Sequence, residues 1–177
     1  MKALQHVNIK LFAETGSELE PERLIPIFHR WIQDSAVPGM LIDVTDYSHV
    51  PAGPGVMLIG HDGFYSVDHR EIRPGFLYNH RLVSHGTTQE QLLYAWKAVT
   101  TGARQLESDL EGKARFSTNH LQVFVNDRIL APNSDATFEA VAPELKVFFE
   151  TALGEPVVLE HDANPRGLFR VNVRPAA

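Results

Sequence analysis

The amino-acid sequence predicts an α+β fold: a mixed, mainly antiparallel sheet with three helices packed on it. The expected order is strand, helix, four strands, helix, one or two strands, helix and two strands. Because the helices do not alternate singly with the strands, a doubly wound parallel sheet is disfavoured. The chain has 177 residues, the length of one ordinary domain, so residues 1–177 are expected to form a single domain.

The first half of the chain should hold one strand, a short helix and four more strands. Apolar and polar residues alternate over residues 7–13, which is typical of a half-buried strand. The helix is expected to begin near Leu24, because Pro26 is tolerated only in a first turn, and Pro38-Gly39 should end it. The other strands are expected at residues 40–45, 56–60, 64–69 and 76–83.

One tight hairpin is expected between two of these strands. Asp62-Gly63 is a strong two-residue turn signal, and with this turn His61 pairs with Phe64, and Val56 with His69.

The second half should contain two longer helices. Thr87 and Glu90 form a capping box, and Gly112 is a helix stop. Pro143 interrupts the other helical stripe, so a kink or two pieces are expected. The first helix should bury one apolar stripe: Leu92, Trp96, Val99, Ala103, Leu106 and Leu110. Strands are expected at residues 121–125, with a return through Ile129 and Leu130, and at residues 157–160 and 168–173.

Composition excludes several kinds of chemistry. The chain has no cysteine, which rules out disulfides, thiolate metal sites and a cysteine nucleophile, and fits a reducing compartment. The first residues lack the apolar core of a signal peptide, and no apolar run approaches the roughly 20 residues that span a bilayer. We therefore expect a cytoplasmic protein with no membrane partner.

The charge balance disfavours nucleic acid as a partner. Sixteen basic residues stand against 22 acidic ones, a net charge of −6, which repels a phosphate backbone. The densest basic group is Arg166, Arg170 and Arg174. Because Arg170 and Arg174 fall on one face of an expected strand, we interpret the group as a solvated face.

Nine histidines invite a search for a metal site, with His49, His61 and His69 in the densest stretch. The expected hairpin places His61 and His69 at opposite ends, roughly 16–17 Å apart. Metal ligands must lie about 2 Å from one point. No dense ligand motif supports a metal bound by His49, His69 and an aspartate either, and we expect neither a metal nor a cofactor.

The leading candidate site lies beside the loop from Asp46 to Gly55. The hairpin brings this loop to the end of the sheet where His69 lies. Prolines and glycines stiffen the loop, and stiff loops beside a sheet often carry binding residues. The expected site residues are Asp46, Tyr47, His49, Asp68, His69 and Arg70. A second candidate rim holds His61 and Asp62, and the following strand should bring His80 and His85 nearer to it.

Three functions stay open at this point. The leading one is binding of a small polar ligand or a protein partner beside the 46–55 loop. The second is an enzyme in which His49 or His69 acts as acid and base, with Asp46 or Asp68 orienting it. The third is a structural protein or a homo-oligomer without a small-molecule site. The sequence does not decide whether the protein is an enzyme.

Two segments resemble a known group of proteins. The first is Asp-Tyr-Ser-His-Val-Pro-Ala-Gly-Pro-Gly-Val-Met-Leu-Ile-Gly-His at residues 46–61, and the second is Asn-Asp-Arg-Ile-Leu-Ala-Pro at residues 126–132. Both resemble stretches of a family of uncharacterised bacterial proteins of about this length. The resemblance implies that the 47–55 loop and the Gly60-His61 step are features of that family, and it implies no activity.

Overall fold

The computed structural model describes residues 3–70, 73–83, 85–164 and 166–176, which form three helices and eight strands. The helices are α1 (Pro21–Asp34), α2 (Thr88–Asp109) and α3 (Asp135–Leu153). The strands are β1 (Val7–Ala13), β2 (Leu41–Tyr47), β3 (Gly55–Gly60), β4 (Gly63–Asp68), β5 (Gly75–His80), β6 (Phe116–Val125), β7 (Val157–His161) and β8 (Phe169–Pro175).

All eight strands belong to one sheet. Their order is β2-β3-β4-β5-β1-β6-β8-β7, so the first strand of the chain lies near the middle. Each pair of neighbouring described strands is antiparallel. The α+β class with a mainly antiparallel sheet is thereby confirmed, and no parallel pair occurs among the described strands.

One face of the sheet carries the helices. Ile9 of β1 is fully buried in the same apolar cluster as Trp31 of α1, Leu106 of α2 and Phe149 of α3. Because side chains alternate along a strand, the opposite face carries Asn8, Lys10 and Phe12 of β1. We call it the helix-free face, since none of the three described helices packs there.

Helix α2 lies closest to the centre of the sheet. The expected capping box is present: the Thr87 side chain accepts from the Glu90 backbone, and Glu90 accepts from the Thr87 backbone. Gly102 lets α2 pack closely against Phe76 of β5, because a Cβ at Gly102 would lie 2.6 Å from the Phe76 ring. The predicted apolar stripe is buried in α2 except at Trp96, which is only half-buried.

Two helices differ in part from their predictions. Helix α1 begins at Pro21, not near Leu24, and keeps Pro26 in its interior. Pro21 occupies a first-turn position that suits proline, and burial of Phe28 and Trp31 offsets the hydrogen bond that Pro26 cannot donate. Helix α3 is continuous through Pro143, which excludes the two pieces, and a kink at this residue stays a prediction.

The hairpin prediction was correct in its strands and wrong in its register. Strands β3 and β4 are antiparallel, but the pairs are Met57 with Ser66 and Ile59 with Phe64. The two turn residues are therefore His61 and Asp62, not Asp62 and Gly63. A shift of two residues leaves every side chain on its expected face, so the apolar pattern could not reveal it.

Two expected strand segments are absent. β5 ends at His80 instead of Val83. Ile129 and Leu130 form no return strand, because their backbone amides both donate to the Asp127 carboxylate in a turn. This side-chain cap competes with strand pairing, and β6 pairs with β1 and β8 instead.

The helix-free face contains several buried polar side chains. Lys10 and Asp68 form an ion pair at 3.1 Å, with only 2% and 4% of their side chains exposed. Asp68 also accepts from the Arg70 guanidinium at 2.6 Å. Such burial of charge is tolerated because the two groups are paired and hydrogen-bonded. The other buried polar residues of this face are Asn8, Ser66, Asn79 and Gln122.

Candidate functional site

The start of the 46–55 loop is open to solvent. Asp46, Tyr47 and His49 are all exposed. The Asp46 carboxylate accepts from the Ser48 backbone at 2.8 Å, and hydrogen bonds from the Ser48 side chain and backbone lower the pKa of Asp46. The Tyr47 and His49 rings stack with their centroids 6.3 Å apart. These contacts order the loop without enclosing a site.

The remaining predicted residues of that rim are divided between the two faces of the sheet. His69 lines a depression of about 300 Å³ beside Pro21 of α1 and Val50 of the loop. Asp68 lies on the helix-free face with Lys10, and Arg70 binds it there. The structure therefore does not bring Asp68 and His69 together, although both were predicted from the sequence to lie in one site. Successive residues of a strand point to opposite faces. His49 is not among the described residues that line this depression.

The second rim borders a larger cavity. His61 is exposed, and its Nε2 lies 4.0 Å from a carboxylate oxygen of Asp62. Asp62 lines a cavity of about 440 Å³ between the end of β5 and the start of α2, which we call the Asp62 pocket. His80 lies at this rim as expected, since it pairs with Gly63. The pocket is lined by Asp62, His80, Leu82, Val83, Gly86, Glu90, Gln91 and Tyr94.

A chain of hydrogen-bonding groups runs along one side of the Asp62 pocket. The Tyr94 hydroxyl donates to Oδ2 of Asp62 at 3.3 Å. The Tyr78 and Tyr94 hydroxyls are hydrogen-bonded to each other, and the Tyr78 hydroxyl lies 3.4 Å from Nδ1 of His80. An ionised carboxylate only accepts, so Tyr94 donates to Asp62 and Tyr78 donates to Tyr94. Because the Tyr78 hydroxyl donates its proton to Tyr94, its oxygen accepts from His80. The proton of neutral His80 is therefore on Nδ1, and Nε2 is an acceptor.

Burial keeps His80 neutral and the two tyrosines protonated, as the hydrogen bonds from His80 to Asp62 require. Burial lowers the pKa of His80, because the imidazolium loses hydration. Burial raises the pKa of Tyr78 and of Tyr94, so both phenols keep their protons. At neutral pH the hydrogen-bonded chain therefore holds a neutral imidazole and two protonated phenols.

Local sequence explains why these groups meet. Gly63 leaves room for Tyr78, because a Cβ at Gly63 would lie 2.8 Å from the Tyr78 hydroxyl. The capping box starts α2 at the mouth of the pocket. Glu90 and Tyr94 are four residues apart, so they share one side of the first helical turns. The Thr87 hydrogen bonds also lower the pKa of Glu90.

Sequence reasoning found part of this site. It named Asp62 and placed His80 near it, but it missed Tyr78 and Tyr94. Two signals were available: Tyr78 and His80 are two residues apart on one strand face, and Tyr94 lies outside the apolar stripe of α2. Neither signal shows that the two tyrosines meet Asp62, because that contact joins separate elements.

Among the described residues, no group of three or more His, Asp or Glu side chains is placed to bind a metal ion. None of the described helices has the length and hydropathy needed to cross a bilayer. Comparison of the chain with protein-family models, curated proteins and solved structures found no match.

Proposed function

We propose that the protein binds a small polar ligand in the Asp62 pocket. The observation that carries this proposal is the hydrogen-bonded chain from Asp62 to His80, which ends in an imidazole nitrogen free to accept. No described residue donates to His80 Nε2. A ligand with a hydroxyl, amide or amine donor would satisfy that nitrogen.

The pocket's shape and lining agree with such a ligand. A volume of about 440 Å³ falls within the range of small-molecule sites. Leu82 and Val83 supply apolar surface, while Asp62, Glu90 and Gln91 supply polar groups. Ligand sites commonly combine a mainly apolar lining with a few placed polar groups.

The 46–55 loop is the less favoured location. Its depression is smaller, about 300 Å³, and His69 is its one ionisable lining residue among those described. No hydrogen-bonded chain leads into it among the described contacts. Ligand or partner binding beside this loop remains a sequence-based prediction.

Ligand screening by NMR tests the proposal. The probes are small neutral polyols, amides and phenols, and the variant is His80→Phe, which keeps a ring beside Tyr94 and removes both nitrogens. His61→Phe is the matched control, because His61 is exposed and does not line the pocket. We expect compounds that shift the Tyr94 resonances to lose binding in His80→Phe and to keep it in His61→Phe. Equal binding by both variants, or no probe at the pocket, would refute the proposal.

The same chain supports a second function, general-base catalysis by His80. A neutral imidazole whose Nδ1 proton is held by Tyr78 can accept a proton at Nε2. Hydrolysis of p-nitrophenyl acetate is a suitable probe. Catalysis should lose activity as pH falls through an apparent pKa below about 6.5, and it should vanish in His80→Phe but not in His61→Phe. A rate equal to that of buffer alone would exclude this function for activated esters.

From the sequence we also propose a cytoplasmic location, membership of the bacterial family that the chain resembles, formation of a homo-oligomer, and the lack of a nucleic-acid partner. The net charge of −6 supports the last of these.

A further inference from the structure

A second cavity lies on the helix-free face, away from the Asp62 pocket. It has a volume of about 300 Å³ and lies beside the ends of β1 and β8 and the middle of β6. We call it the Phe12 pocket. The residues lining it are Phe12, Arg73, His120, Leu121, Asn172, Val173 and Arg174. None of these described lining residues carries a carboxylate.

Arg73 is held over an aromatic ring without an acidic partner. Its guanidinium carbon lies 4.5 Å from the centroid of the Phe12 ring, a cation–π arrangement. Among the described residues, Arg73 makes no ion pair. This contact uses the face of the Phe12 ring and leaves the guanidinium N–H groups available to an acceptor.

Two further side chains offer donors to the same cavity. The Asn172 oxygen accepts from the Gln122 amide at 2.9 Å, so the NH₂ group of Asn172 has no described partner. Arg174 binds a single oxygen of Glu160 through Nε and Nη2, at 2.9 and 2.7 Å. Its Nη1 makes no described bond.

The local charge is positive in a chain that is negative overall. The net charge is −6, yet Arg73 and Arg174 line this cavity and the Lys10 ammonium lies 5.8 Å from the Phe12 centroid. Lys10 is paired with Asp68 and Arg174 with Glu160, so Arg73 supplies the uncompensated charge. A lining rich in donors and poor in acceptors selects a ligand that accepts hydrogen bonds.

We propose that the Phe12 pocket binds a small organic anion, a carboxylate or a phosphate ester. Arg73, Asn172 and Arg174 bind its charged group, and the Phe12 ring packs against its apolar part. Arginine forks match both carboxylate and phosphate oxygens, so the charged group is the shared chemistry. This site is separate from the Asp62 pocket and does not depend on the function proposed there.

Titration of the full chain by NMR at low ionic strength tests the proposal. The probes are benzoate, phenyl phosphate, inorganic phosphate and the neutral benzyl alcohol. Benzoate or phenyl phosphate should shift the backbone resonances of Phe12 and Asn172 saturably. Tighter binding of benzoate identifies a carboxylate site, and tighter binding of phenyl phosphate identifies a phosphate-ester site. Benzyl alcohol binding as tightly as either anion overturns the proposal, as does no saturation by any anion below about 10 mM.

Two matched arginine variants show whether the residues of the Phe12 pocket bind the anion. Arg73→Gln removes the uncompensated cation and should weaken binding of the preferred anion at least about fivefold. Arg104→Gln, on the exposed side of α2, should change binding less than about twofold. Urea unfolding of both variants verifies that the fold persists, since both side chains are exposed. An equal loss in the two variants would mean that general charge, not the Phe12 pocket, attracts the anion.

Discussion

Replacing Leu106 by alanine tests whether α2 is held to the sheet by its apolar face. Leu106 is fully buried in the core cluster. The substitution removes three buried carbon groups, which at about 0.8 kcal/mol each costs roughly 2.4 kcal/mol. The cavity left behind adds to this, so we expect a total loss of about 3 kcal/mol, within the 2–5 kcal/mol typical of such changes.

Leu93→Ala on the same helix is the matched control. Leu93 is 44% exposed, so its substitution should cost about 1 kcal/mol or less. Both free energies of unfolding come from urea denaturation, with an unchanged m-value showing that the transition is comparable. A loss below about 1 kcal/mol for Leu106→Ala would refute the reasoning. It would mean that α2, which carries Tyr94, is not positioned by this face.

Three other predictions follow from the structure. Burial lowers the pKa of His80. As pH falls below about 6.5, His80 is therefore protonated in the unfolded chain before it is protonated in the folded protein. The free energy of unfolding should then decrease from about pH 7 to about pH 5, and less so in His80→Phe; parallel pH profiles would contradict the shift. Gly63→Ala places a Cβ 2.2 Å from the Asn79 carbonyl oxygen, and it should lower stability by about 1–3 kcal/mol, measured by thermal unfolding. His49→Ala should change the thermal midpoint little, because His49 is exposed; a large drop would identify it as a loop anchor, and any ligand held by the 46–55 loop should be lost.

The candidate sites show where sequence reasoning stops. The Asp62 turn and its proximity to His80 follow from strand direction alone. The cluster beside the 46–55 loop was built on a register in which Val56 pairs with His69. In the structure the pairing of β3 with β4 is shifted by two residues from that register. Glycine at both ends of the His61-Asp62 turn allows either turn, and the apolar alternation is identical in both.

The basic residues of the last strand give a second example. Arg174 was read as part of a solvated face, and it does lie on the helix-free side of β8. Its relation to Phe12 and Arg73 arises because β1 and β8 both pair with β6. The sequence alone does not specify this strand order.

The sequence by itself determined the α+β class, the three helices, the capping box of α2 and most strands. These depend on contacts within a few residues, namely hydrogen bonds at helix ends and the period of apolar side chains. Only the tertiary structure decided the strand order, the register of β3 and β4, and the partners of the buried polar groups. Lys10 meets Asp68 and Tyr94 meets Asp62 across 58 and 32 residues of chain. No local pattern records such pairs, because their free energy appears only when the whole sheet brings distant strands and helices together.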